Sequence, residues 1–426
     1  QVFATLILRE NPLLLHNPEA LATINKYWNN ITYRDPAILP QIDLAYPPPR
    51  FSRDGGLYED AFSLELDTDP QNVSILYTLD GSEPNIDNVN YSNALQRTNI
   101  YTKPISVKSR VGEANVFSLF VTANDVREWI PKWHPPKNEV FKVTVVRARA
   151  YDPRSKSYSK TVTNTYLVDK DIFSRYEKLP IISLVADYKD LFHPDFGIYT
   201  PGMLVNQKIS LYAYSERIVP ANIEFFEVGG EPGFNGLYEI SLQGSTTRSN
   251  PQKGLNVVVN EWFGEGPIKY PLFANTGSKA NQLTEFNRLI LRSWGSSRDW
   301  PMIFSDAYHQ TLLAGADIEI QDYRPVIVFL NGEYWGLHEI RQAIKNPDYF
   351  SSITGVDPVN PGFDILYSIE NIVDEGDSEN WEALVTFIKD HDLGDAGNYQ
   401  YVRSQVDIDN FILYVIHCTF TGKRDW

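Results

Sequence analysis

The sequence is poor in sulfur, in histidine and in basic residues, and it has no long apolar run. A single cysteine, Cys418, in 426 residues excludes an internal disulfide framework. Seven histidines with no His-x-x-x-His spacing leave a zinc enzyme unsupported. No Gly-x-Ser-x-Gly elbow is present. Nowhere does the chain approach the roughly 20 consecutive apolar residues of a membrane helix, so no membrane span is expected. Lys and Arg number 38 against 54 Asp and Glu, a net charge of −16. Binding nucleic acid requires clustered positive charge to neutralise phosphates, so no nucleic-acid partner is expected.

What is abundant points to packed interiors: 42% hydrophobic and 13% aromatic residues over a length that exceeds one ordinary core, so two or three domains are expected. Charge is distributed unevenly. Residues 240–300 carry seven Lys/Arg against four acids, whereas residues 357–395 carry eleven acids and one base. The acidic stretch reads as a solvated face. The basic stretch gives an acidic chain a local site for a polyanion.

Residues 1–39 remain unassigned beyond a short helix predicted over 18–28, with Asn17 as N-cap and Pro18 at the first helical position. From about residue 40 to 170 short apolar runs alternate with Gly, Pro, Asn and Asp, the pattern of an all-β sandwich. Near residues 170–178 the pattern becomes mixed. Ile181-Ile-Ser-Leu-Val185 predicts a buried strand. Asn331-Gly332, between Pro325-Val-Ile-Val-Phe-Leu330 and Glu333-Tyr-Trp-Gly-Leu-His-Glu-Ile340, predicts a hairpin, because this pair tolerates the positive φ angles of a type I′ turn. Trp381, Leu384, Val385 and Ile388 predict a helix from about Glu379 with that stripe buried and Ser378 as N-cap. A last helix is predicted from Ile408, capped by Asp407.

Two families are resembled. Pro49-Arg-Phe-Ser-Arg-Asp-Gly-Gly-Leu-Tyr58, Tyr77-Thr-Leu-Asp-Gly-Ser-Glu-Pro84, Val146-Arg-Ala-Arg-Ala150 and Thr163-Asn-Thr-Tyr166 resemble the fibronectin-III-like domain at the C-terminus of chitobiases and β-hexosaminidases. That resemblance implies a sandwich over 40–170, serving as a platform or contacting carbohydrate or the cell envelope. Leu179-Pro-Ile-Ile-Ser-Leu-Val-Ala-Asp187, Gly244-Ser-Thr-Thr-Arg-Ser-Asn-Pro-Gln-Lys253, Tyr270-Pro-Leu-Phe273, Leu289-Ile-Leu-Arg-Ser293, Asn331-Gly-Glu-Tyr-Trp-Gly336 and Asp407-Ile-Asp-Asn-Phe411 come in the order of the spore-coat-protein-H (CotH) kinase-like family. That resemblance implies an α+β protein-kinase-like domain over 178–426, incomplete at its C-terminus. It also implies ATP with Mg or Mn, a protein phosphoacceptor modified on Ser or Thr, and a bacterial spore-coat, secreted or cell-surface setting.

Phosphoryl transfer needs a cradle for phosphate oxygens, metal ions and a carboxylate near the attacking hydroxyl. Gly244 to Arg248 supplies small residues whose backbone can approach phosphate and a guanidinium that can fork onto two oxygens; by itself the same run also reads as a surface turn. Within the resemblance, Lys253 is the nucleotide-contacting lysine. Asp306, on a helix predicted within 303–314, is the candidate acid that orients it or else a surface carboxylate. Asp425 is the catalytic aspartate or else an ion-pair partner of Arg424. Metal ligands are not assigned. The chain departs from the family at Arg341-Gln342, where Arg-Glu is usual, and at Gly422-Lys423-Arg424 before Asp425. These departures leave open a non-catalytic surface-binding or assembly protein on the same fold, adhesin-like or carbohydrate-associated.

Overall fold

The computed structural model of the protein describes residues 46–69, 72–89, 91–122, 132–194, 197–200, 217–244, 246–260, 266–274, 282–293, 304–367 and 371–423. The helix predicted over 18–28 lies outside the described residues, as does Asp425.

The N-terminal part is strand-rich. Its main sheet comprises β1 (Gly56–Tyr58), β2 (Ser74–Thr78), β3 (Asn99–Ile100), β4 (Thr144–Asp152), β5 (Ser157–Tyr158) and β6 (Val162–Val168). The spatial order is β1-β6-β4-β2-β3, with β5 on β4. Two short pairs, Phe62–Leu64 with Ile105–Val107 and Arg50–Phe51 with Leu66–Asp67, form a second layer. Leu64, Leu66, Ile105 and Val107 from that layer share a core with Ile75, Val146, Ala148 and Tyr166, as the two-residue period of strands requires. The opposite face of β4 is also buried: Arg147 meets Glu83 at 2.5 Å, and Arg149 lies 3.7 Å from the Tyr158 ring centroid.

After Lys178 the chain builds a closed barrel of seven strands: β7 (Ile181–Val185), β8 (Val219–Phe226), β9 (Pro232–Gln243), β10 (Gly254–Val258), β11 (Arg288–Arg292), β12 (Tyr323–Leu330) and β13 (Glu333–Gln342). They follow the order β7-β8-β9-β10-β11-β13-β12. Neighbours are antiparallel except β7 and β12, whose parallel register from Ile181↔Ile327 to Leu184↔Leu330 closes the ring. The predicted hairpin is present, with Asn331 at φ 46° and Gly332 at φ 85°. Asn331 also pins the turn to the chain just after β7: its Oδ1 accepts from the Ala186 N–H and its Nδ2 donates to the Ala186 carbonyl, each at 2.9 Å. The barrel interior is filled by inward residues such as Leu184, Ile223, Ile240, Leu242, Leu255, Val257, Leu291 and Ile340.

The joint near residues 170–178 is packed. Helix α1 (Ile172–Arg175) buries Ile172, which with Tyr176, Val143 and Leu167 meets the outward barrel residues Ile181, Phe226, Ile327 and Phe329. A strap over 115–122 also reaches the barrel, where the Glu333 carboxylate accepts from the N–H groups of Val116 (2.6 Å) and Ser118 (2.8 Å).

The remaining helices are α2 (Tyr188–Phe192), α3 (Ser305–Thr311), α4 (Pro347–Thr354), α5 (Glu379–Asp390), α6 (Ala396–Gln405) and α7 (Ile408–Thr421). Asp407 caps α7 as predicted, accepting from Asn410 N–H at 3.0 Å. Ser378 stands at the N-cap of α5 as predicted, but its side chain bonds no backbone N–H. Its hydroxyl donates to Glu382, and Asp377 takes the Glu379 N–H instead. Leu384 of the predicted stripe is buried, while Trp381 is 44% and Ile388 38% exposed. Helical spacing selects a face, but burial depends on what packs over it.

Where the two parts meet, Glu224 on β8 is buried and accepts from the Thr165 N–H (3.0 Å) and the Thr165 hydroxyl on β6. Burial pushes its carboxyl up to about 7, only partly offset by these hydrogen bonds. A folded-state pKa above the unfolded value near 4.5 makes the folded chain hold the proton more tightly. The resulting stability is full below that unfolded value and is lost as pH rises through about 7. The thermal midpoint should therefore fall between pH 5 and pH 8 by more in the parent chain than in Glu224→Gln. The difference should correspond to up to about 3 kcal/mol; parallel pH profiles would show that Glu224 does not titrate in this range.

Candidate active site

Strands β9 and β10 are adjacent and antiparallel, with Gln243 opposite Gly254, so residues 244–253 form the loop that joins them. Gly244 begins it at φ 92°, and a Cβ there would collide with the Thr247 hydroxyl, so the position requires glycine. A 3₁₀ turn over Thr246–Ser249 follows and carries Arg248, which is half-buried. Lys253 closes the loop and is fully buried. Its ammonium donates to the carbonyls of Arg248 (2.8 Å), Asn250 (3.0 Å) and Thr122 (3.0 Å), the last on the strap from the N-terminal part. Three donors thus meet three acceptors. Burial draws the lysine down to about 7.

The structure brings Gly244, Arg248 and Lys253 into one loop, but with different exposures. In this arrangement Lys253, expected to touch nucleotide, holds the loop from within. Gly244 is exposed and the Arg248 side chain is partly so.

Asp306 lies elsewhere. It stands in the first turn of α3, whose range falls inside the predicted helix. The acid expected to orient Lys253 instead hydrogen-bonds the Arg341 guanidinium, with Arg292 Nε 3.8 Å away. Burial pushes this carboxyl up, but the charges of Arg341 and Arg292 outweigh that effect and hold it below its ordinary value. The reason is parity along the strands. Leu255 and Val257 point into the barrel, and Lys253 shares their side of β10. Arg341 and Glu339 sit on the other side of β13 from the inward Ile340. Arg341 is 1% exposed and also binds Glu339 (Nε to Oε2, 2.9 Å) and Gln321 (3.1 Å). Sequence reasoning did not identify this network; the alternation Glu339-Ile340-Arg341 was its only signal.

Gln342, noted as a departure from the family pattern, is 2% exposed and lines a cavity of about 160 Å³ with Arg288, Asn346 and Tyr349. Neither amide atom of its side chain has a partner among the described residues. Also among the described residues, no three His, Cys, Asp or Glu side chains stand together as a metal site would, and no helix is long and apolar enough to cross a membrane.

Residues 240–426 match the family model described as CotH kinase protein. The C-terminal part of the chain is a CotH kinase-family region. Residues 64–166 ahead of it match the model described as Fn3 associated. No curated protein and no solved structure matches the chain. The CotH match begins inside β9, so β7 and β8 lie ahead of the matched residues yet belong to the same closed barrel. Gly244, Arg248, Lys253, Asp306 and Asp425 all fall within the match, and the region is kinase-like at the level of family.

Replacing Lys253 by Met keeps the volume and removes three charge-assisted bonds, leaving buried carbonyls unmet. Lys253→Met should lower stability by about 3 kcal/mol, read from urea unfolding. Amide exchange should quicken over 246–250 and at the strap. A change below about 0.5 kcal/mol would show that the lysine does not hold the loop.

Proposed function

We propose that the chain is an atypical ATP-dependent kinase of the CotH type, transferring the γ-phosphate to Ser or Thr of a protein at the cell surface or outside the cell. The observation that carries this reading is the CotH match, whose single span contains both the Gly244–Arg248 loop and Asp425. In this reading the sandwich of 40–170 is a platform and 178–426 is the kinase-like domain. The exposed Gly244 lets backbone N–H groups approach phosphate, and Arg248 forks onto its oxygens. Lys253 keeps the loop in shape by engaging its carbonyls. Asp306 secures α3 to the barrel through Arg341. Asp425 takes the proton of the attacking hydroxyl. Mg or Mn enters through the family alone, since the described residues offer no cluster of ligands for it.

A second reading, a non-catalytic surface-binding protein, is favoured by the complete engagement of Lys253 with carbonyls and by Gln342. Transfer of radiolabelled phosphate from ATP by the intact protein separates the two. The kinase reading expects transfer, its abolition in Asp425→Asn with ATP affinity kept, and ATP binding weakened roughly 10- to 150-fold in Arg248→Ala. No transfer with either metal would favour the binding protein, and full turnover in Asp425→Asn would remove Asp425 from the catalytic role.

A further inference from the structure

At the root of the strap a lysine, an asparagine and a glutamate are drawn together from three places in the chain. Lys142 is 1% exposed. Its Nζ donates to the side-chain Oδ1 of Asn115 and to the Val140 carbonyl, each at 2.9 Å. The Asn115 amide is fixed at both ends: its Oδ1 also accepts the Val140 N–H at 2.9 Å, and its Nδ2 donates to the Asn138 carbonyl at 3.0 Å. These partners decide which end of the amide is oxygen. The amide carbon lies one C=O bond beyond Oδ1, so it is no more than about 4.1 Å from the amine.

Glu333 completes the group. It stands opposite Lys142 across an antiparallel bridge. The bridge is flanked by the Val143 N–H donating to the Gly332 carbonyl (2.8 Å) and the Tyr334 N–H donating to the Phe141 carbonyl (2.9 Å). That is the narrow kind of antiparallel pair, in which facing side chains come closest. The Glu333 carboxylate is bound to the chain just after Asn115, through the N–H groups of Val116 and Ser118. Burial draws the Lys142 amine below its ordinary value, and the Arg110 charge adds to that, against the opposite pull of Glu333, Glu113 and Glu139. A lysine so placed is more often neutral, and the neutral amine is the nucleophile.

We propose that Lys142 and Asn115 join in an intramolecular isopeptide bond, formed by the folded chain on itself with Glu333 as proton carrier. The Nζ lone pair attacks Cγ of Asn115, and the Nζ–Cγ bond forms. The carbonyl electrons move onto Oδ1, where the Val140 N–H stabilises the charge. Glu333 takes one proton from Nζ and passes one to Nδ2. The Cγ–Nδ2 bond then breaks, the C=O bond reforms and ammonia leaves. Nothing is oxidised or reduced, and no co-reactant is consumed. The bond ties residue 115 to residue 142 and so fixes the strap that engages Glu333 and Lys253. It requires neither ATP nor Asp425, so it stands apart from the phosphotransfer reading.

The test is a tryptic map of the intact, folded protein. An unlinked chain yields peptide 111–127 and, separately, peptide 138–142 ending at Lys142. An acylated Lys142 resists trypsin, so 111–127 and 138–147 should emerge as one branched peptide, lighter than their sum by one ammonia. The branch is decisive where the whole-chain mass is not, because cyclisation of an N-terminal Gln1 also releases ammonia. Lys142→Arg and Asn115→Ala should give no branch and a lower thermal midpoint than the parent. Glu333→Gln should cut the branched yield about tenfold or more. The parent's own map decides the matter where a variant unfolds. A folded parent that gives 111–127 and 138–142 as separate peptides, or Glu333→Gln with the branch at full yield, would overturn the proposal.

Discussion

A sheet rolled into a barrel has no free edge only if its first and last strands pair, and here that depends on the parallel run Ile181–Leu184 against Ile327–Leu330. Ile181 and its partner Ile327 are 146 positions apart along the chain, so the ring is closed by a non-local contact. Once formed, it fixes both surfaces of the barrel. Leu184 and Val328 enter the interior, while Ile181, Ile327 and Phe329 turn outward onto Val143, Leu167, Ile172 and Tyr176. Closure of the barrel and docking of the sandwich are therefore coupled. The Asn331 side chain reinforces both by holding the β12–β13 turn to the end of β7.

Charge buried in and around the barrel is met by polar partners. Glu224 has hydroxyl and amide donors but no cation, so it is the group that burial raises. Lys253 has carbonyl acceptors, one of them contributed by the strap. Arg341 has carboxylates on two sides, from Glu339 and Asp306. Each satisfies the rule that buried polar groups need partners, and each ties an element distant in sequence to the barrel wall. Lys253 thereby links the glycine loop of the CotH region to the N-terminal part.

Local features read well from the sequence. Asn-Gly marked the β12–β13 turn, Asp407 marked the cap of α7, and the run from Ile181 to Val185 marked a buried strand. Each depends on a few neighbouring residues, where backbone preference and side-chain period suffice. The ordered motifs also led to the family that matches 240–426. Reading failed wherever a residue's role depends on a partner far along the chain. Trp381 kept its helical spacing without an element to cover it.

The sequence by itself determined the strand-rich first part, the mixed second part and the glycine loop with its arginine and lysine. Only the tertiary structure decided which way those side chains face. Lys253 shares the barrel-interior side of β10 with Leu255, whereas Arg341 and Asp306 meet on the outside. A strand's two-residue period separates the faces but does not say which becomes the inside. That choice is made when β7 pairs with β12 and the ring closes, leaving one face sealed and the other to be covered by the sandwich and α3.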